Sequence, residues 1–180
     1  MNKSLERLSS GKRISSAGDD AAGLAISESL SAKVRGMQQA QRNASDGISL
    51  VQTAEGSLNE VSNLLVRLRE LGVQAASDTV GDNERGFINK EYQTLKQEID
   101  RIANITNFNG TPLLNGEGKG KLSIQAGINN SKNDVIELDI GRTDARLSTL
   151  GIGGTEVKSR DDASDSLESV DNALNLINQQ

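Results

Sequence analysis

The sequence predicts a mainly α-helical protein: an elongated antiparallel helical bundle with one very long helix and a β-hairpin packed on it. Three observations carry that expectation. An apolar heptad pattern runs through the first half of the chain without a proline, and the apolar period changes to two between Lys121 and Ile140. The third is composition. Of the 180 residues only 34% are hydrophobic and 2% aromatic, too few bulky side chains for a round core.

The long helix is expected over about 16–77. Counting in sevens from Leu30 lands on Met37, Ala44, Val51, Leu58, Leu65 and Gly72. The positions three residues after these, from Ala40 onward, are Ala40, Gly47, Ala54, Val61, Leu68 and Ala75. Alanine and glycine in such a seam let helices approach closely, which suits a narrow bundle better than a cavity-bearing enzyme. Ser16-Ala17-Gly18-Asp19 has the spacing of a capping box, and Asp19 and Asp20 place negative charge at the positive end of the helix dipole. At about 1.5 Å per residue the helix would be roughly 85–90 Å long, which implies an elongated object. Upstream, residues 1–15 carry Leu5, Leu8 and Ile14 among Lys3, Arg7, Lys12 and Arg13. This is the remnant of a helix too short to stand alone, with Ser9-Ser10-Gly11 as the break before the long one.

Late in the long helix, Glu60, Leu64, Arg67, Leu71 and Gln74 step by four, three, four and three, a stripe off the main seam. Two readings stay open here. The stripe exposes two leucines and an arginine together, or Leu64 and Leu71 pack on a second helix.

Asp78 to Gly81 reads as a turn and Asp82 as the N-cap of a second helix over about 82–105, with Ile88, Tyr92, Leu95, Ile99 and Ile102 as its core stripe. The connection is short, so the second helix should fold back antiparallel on the first. Asn107 to Pro112 is strong turn chemistry, and Phe108 is expected to plug the end of the bundle. Over about 121–140, Leu122, Ile124 and Ala126, then Ile136, Leu138 and Ile140, alternate with polar residues around a Gly127 to Asn133 turn. An isolated hairpin is marginal in water, so its apolar face must lie against the helices. Arg142 to Thr155 reads as a connection with Gly151-Ile152-Gly153-Gly154 as a flexible joint. Ser159 and Asp162 then repeat the capping-box spacing, and Ala163, Leu167, Val170, Leu174 and Ile177 mark a C-terminal helix over about 160–180.

Chemistry is mostly excluded. With no histidine and no cysteine there is no catalytic triad, thiol nucleophile, HExxH or C-x-x-C site. The pairs Asp19-Asp20 and Asp161-Asp162 stand at helix starts, where capping explains them without a metal. A net charge of −5 and a pI near 4.9 leave no basic footprint for nucleic acid. No apolar run approaches a membrane span, and no signal peptide with an apolar core opens the chain. The expectation is a protein that is not an enzyme and takes no cofactor, metal, nucleic acid or membrane.

The segment from Arg7-Leu8-Ser9-Ser10-Gly11 through Gly18-Asp19-Asp20-Ala21-Ala22-Gly23-Leu24-Ala25-Ile26 resembles the N-terminal signature of bacterial flagellins. Further segments match in flagellin order: Arg42 to Ser49, Gln52 to Leu58, Leu68 to Ala75, Glu98 to Ile102, Phe108-Asn109-Gly110, and Ala173 to Gln180, which resembles the family's C-terminal conserved helix. The resemblance covers almost the whole chain. It implies the rod-like core domain of a compact flagellin, with further segments expected before Asn2 and after Gln180. Without them this fragment should be monomeric in solution.

The function so implied is that of a structural subunit, secreted without a cleaved signal peptide, that polymerises with other flagellin subunits into the extracellular filament of the flagellum for motility. The alternatives are a hook–filament junction protein and, from another class, a coiled-coil signalling adaptor, which should show no hairpin. Arg13, Asp19 and Asp20 are the candidates for a subunit contact. In flagellins that animal hosts detect, residues resembling Arg67, Leu71 and Glu91 form the centre of the surface bound by the flagellin-sensing Toll-like receptor ectodomain. Leu64, Glu70 and Gln74 extend that surface here. At position 95 the match is loose, with leucine where some detected flagellins carry a basic residue.

Overall fold

The computed structural model describes residues 8–14, 16–117 and 120–180. In chain order it holds helix α1 (Ala21–Ala75), helix α2 (Asp82–Ile105), strands β1 (Asn107–Phe108) and β2 (Thr111–Pro112), strands β3 (Lys121–Gln125) and β4 (Val135–Asp139), and helix α3 (Arg160–Asn178). Single 3-10 turns cover Lys132–Asp134 and Ile140–Arg142. The strands form two separate two-stranded sheets, β1 with β2 and β3 with β4. The chain divides into two compact units, Met1–Asp46 with Ile124–Ile136 and Gly47–Ser123 with Glu137–Gln180. Both α1 and the β3–β4 hairpin contribute to each.

In the first unit, Gly11 breaks the short helical stretch of residues 8–10 with a positive φ of 65°. The rest of the expected N-terminal remnant, residues 1–7 and 15, lies outside the described residues. The cap of α1 is not the one the spacing predicts. Ser16 to Asp19 closes a turn through Asp19 N donating to the Ser16 carbonyl at 3.0 Å. Asp20 is the residue whose carboxylate accepts from Gly23 N at 2.8 Å, so the helix starts at Ala21. Along the first part of α1 the expected seam is largely uncovered: Leu30 and Met37 are exposed and only Ala40 is buried. There the tip of the hairpin lies against the helix, with Asn43 Nδ2 donating to the Gln125 carbonyl at 2.9 Å.

The second unit holds the core. Val61, Leu65, Leu68, Leu71 and Ala75 of α1, Ile88, Tyr92, Ile99, Ile102 and Ala103 of α2, and Ala163, Val170, Ala173 and Ile177 of α3 are buried in one cluster, with Leu95 packed against it. Gly81, rather than Asp82, occupies the N-cap of α2, and Asp82 is its first residue. The predicted capping box of α3 is present, Ser159 accepting from Asp162 N and Asp162 from Ser159 N. The turn after α2 is set by Asn109 and Gly110, both at positive φ (49° and 78°), flanked by the pairs Phe108 with Thr111 and Asn107 with Pro112. That is the requirement of a tight two-residue hairpin turn. Phe108 is half-buried on the core, as are Leu122 and Leu138 of the second hairpin. Ile136, predicted on the apolar face with Leu138, is 46% exposed.

The segment expected to be a flexible joint is instead pinned. Ala145, Leu150, Ile152 and Val157 are buried in the core. Between them, three polar side chains on one face of α2 take up the backbone of the segment. Asn89 Oδ1 accepts from Val157 N at 3.0 Å, and Gln93 Nε2 donates to the Thr155 carbonyl at 3.0 Å. The Lys96 ammonium donates to the carbonyls of Gly153 (2.9 Å) and Thr155 (2.7 Å), and Tyr92 shares a hydrogen bond with the Thr155 hydroxyl at 3.0 Å. Glycine content foretells freedom only when nothing claims the backbone groups; here α2 claims them.

Lys96 is only 3% exposed, and burial pulls its pKa below the ordinary 10.5, with the charge of Glu156 opposing. The folded chain therefore gives up this proton before the unfolded chain does, and stability rises with pH between the two values. Chemical denaturation at rising pH up to 10.5 should show the wild type gaining stability relative to Lys96→Met. A difference that stays flat across that range would mean that Lys96 titrates as an ordinary lysine.

Candidate interaction surface

Sequence reasoning named nine residues, and the structure places them in two groups. Arg67, Leu71, Glu91, Gln74, Leu64 and Glu70 belong to the second unit, while Arg13, Asp19 and Asp20 belong to the first. Each group is built locally.

In the second unit, α1 and α2 run antiparallel, and the turn between them is fixed from within. Arg85, buried near the start of α2, donates Nε to the Ala75 carbonyl and Nη2 to the Ser77 carbonyl, both at 2.9 Å, and Nη1 to the Asp82 carboxylate at 2.9 Å. It thus caps the C-terminus of α1, where carbonyls have lost their helical partners. The result is a fixed register that brings Arg67 opposite Glu91. Arg67 donates Nε (3.0 Å) and Nη2 (2.7 Å) to Glu91 Oε1, and Nη1 to Glu70 Oε2 at 2.9 Å. Hydrogen bonds donated to the Glu70 and then the Glu91 carboxylate raise the guanidinium pKa further above its ordinary value. All three side chains are about half exposed, so water screens their attraction and the pairs contribute little to stability. What the arrangement provides is shape, a planar fork held flat across two helices.

The leucines of the stripe resolve in favour of packing. Leu71 is 1% exposed and Leu64 is half-buried against the same core. They belong to the core that α1 shares with α2 and α3, not to the exposed surface. Gln74 is exposed. One feature of this face went unread in the sequence: Phe87 is 69% exposed, with the Lys90 ammonium 5.6 Å from the ring centroid. The available signal was its position, immediately before Ile88 and off the core stripe of α2.

In the first unit, Arg13 is exposed and Asp19 and Asp20 close the turn into α1, Asp20 as its cap. Among the described residues no group of three His, Cys, Asp or Glu comes together as a metal site needs. No described helix is long and apolar enough to cross a membrane.

Comparison with known proteins points one way. A family profile, "Bacterial flagellin N-terminal helical region", matches residues 1–119. Flagellin of Halalkalibacterium halodurans is 41% identical over 177 residues, 98% of this chain and 64% of that protein. Polar flagellin F of Vibrio parahaemolyticus is 44% identical over 98% of this chain and 45% of its own length. Flagellin of Escherichia coli K12 is 45% identical over 89% of this chain and 31% of its own. The chain thus spans between about a third and two thirds of these relatives. Among solved structures, Bacillus cereus flagellin superposes with a TM-score of 0.66 at 34% identity, covering 77% of this chain and 78% of that one.

Because Leu71 is buried in that core, Leu71→Ala should behave as a core truncation and cost about 2–5 kcal/mol of stability. Equilibrium unfolding measures it, and a loss below about 0.5 kcal/mol, the range of ordinary surface substitutions, would mean that the side chain is not packed as described.

Proposed function

The chain belongs to the bacterial flagellin family, and on that premise we propose that it is the body of a structural subunit that polymerises with its own copies into the extracellular filament of the bacterial flagellum. The match over residues 1–119 carries this reading. A narrow helical core with a small-residue seam, rather than a cleft lined with reactive groups, suits an assembly unit. The turn of Arg13, Asp19 and Asp20 is the subunit contact in this proposal. It lies outside the helix and presents charged groups of both signs, which set register between neighbours in a polymer.

The second part of the proposal is that the Arg67 face is a ligand surface for the flagellin-sensing Toll-like receptor ectodomain of animal hosts. Arg67, Glu70, Gln74 and Glu91 make the contact, while Leu64 and Leu71 belong to the core. The observation that supports this is the fork itself. A guanidinium already ordered by two carboxylates on adjacent helices has little conformational freedom left to lose on binding.

Two experiments test these readings. In a flagellated bacterium whose flagellin carries this sequence, Asp19→Asn combined with Asp20→Ser, which keeps a capping oxygen, should impair swimming. Filaments of normal length and normal swimming would remove the turn from the subunit contact. For the receptor, titration of the purified ectodomain with this chain should show binding that Arg67→Ala weakens by about tenfold, the range of an interface hot spot. Absence of binding by the wild type, or equal binding by the variant, would sink the receptor reading.

A further inference from the structure

Resting on the receptor reading, we propose that Phe87 is the apolar anchor of that contact, the role that the family resemblance implies for Leu71. A hot spot built around an arginine needs an apolar neighbour that the partner can cover. Leu71 is closed off by its own core, whereas Phe87 is open. The chain has three aromatic rings, two phenylalanines and one tyrosine. Tyr92 is fully buried and Phe108 half-buried, so Phe87 carries the most exposed ring of the three.

A single exposed hydrophobic residue is ordinary on any surface; the company of Phe87 is what sets it apart. It stands one helical turn before Glu91 on α2. The contacts Arg67 to Glu91 and Arg85 to Ala75 set the register of α1 against α2 and put Phe87 level with Leu71. It therefore lies on the same stripe of α2 as the Glu91 arm of the fork. Glu91 takes both of its Arg67 hydrogen bonds on Oε1, and Glu70 takes its own on Oε2. Among the described residues Glu91 Oε2 and Glu70 Oε1 accept no hydrogen bond. With Glu84 one turn before Phe87, three carboxylates (Glu70, Glu84, Glu91) face two cations (Arg67, Lys90), and Lys90 lies against the ring.

The chemistry of the matching receptor surface follows. It presents an apolar hollow for the ring and hydrogen-bond donors, arginine or lysine, for the two unoccupied carboxylate oxygens. A partner surface that is itself acidic would be repelled by the excess carboxylate. Because the ring is exposed, removing it leaves the helical core intact, so a binding effect can be read without loss of fold.

The test is titration of the purified receptor ectodomain with the wild-type chain and with Phe87→Ala, Phe87→Leu and Arg67→Ala, each checked for unchanged helical content and unfolding temperature. Phe87→Ala should weaken binding by about tenfold, with Phe87→Leu falling between it and the wild type. Wild-type affinity in Phe87→Ala together with weakened Arg67→Ala would remove the anchor while the receptor reading stands. No binding by the wild type removes both. If Phe87→Ala, placed in a full-length flagellin, keeps its receptor affinity but loses filament assembly, the ring belongs to a subunit contact and the inference is overturned.

Discussion

The missing side chain at Gly72 leaves room for α3 to pack close on α1. A Cβ there would stand 2.9 Å from Leu167 Cδ2 and 3.3 Å from Ser166 Oγ, so a methyl group would push these α3 side chains aside. Val170 and Ala173 join Leu65 and Leu68 in one buried cluster, and Arg69 meets Asp171 at 2.6 Å across the surface. A chain so poor in aromatic residues has few other ways to fill an interior. Close helix approach replaces ring volume with many short contacts between small side chains, each weak and together sufficient.

Close packing leaves polar groups inside that have to be answered, and the two buried cations among the described residues show how. Arg85 and Lys96 end mainly on backbone carbonyls, Arg85 on the last turn of α1 and Lys96 on the segment leading to α3. In both cases a side chain of α2 satisfies oxygens that have no secondary-structure partner. α2 is therefore more than one stave of a bundle. It fixes the turn before it and the segment that leads into α3, and that double hold keeps Arg67 opposite Glu91.

The surface above this core obeys a different rule. The fork of Arg67, Glu70 and Glu91 is half exposed and adds little to stability, so its geometry is free to serve recognition. Its members were named by the family resemblance, and of them only Arg67 also stood in the stripe that the spacing picks out. The exposure of Leu71 was not legible. A four-three-four-three step describes a helical stripe equally well whether water or another helix lies against it, and at Leu71 it is the core that does.

By itself the sequence determined the helices, their order and the family, since these depend on local rules: apolar period, capping spacing at Ser159 and Asp162, turn chemistry at Asn109 and Gly110, and long stretches of matching residues. Tertiary structure alone decided which part of the seam is covered, that Asp20 rather than Ser16 caps α1, and that Gly151 to Thr155 is pinned rather than loose. Each of these turns on a contact between groups distant in the chain, or on a choice between neighbouring donors and acceptors that local spacing leaves equal. The partner of a backbone carbonyl at Thr155 is a lysine 59 residues away, and no periodicity near either residue records that meeting.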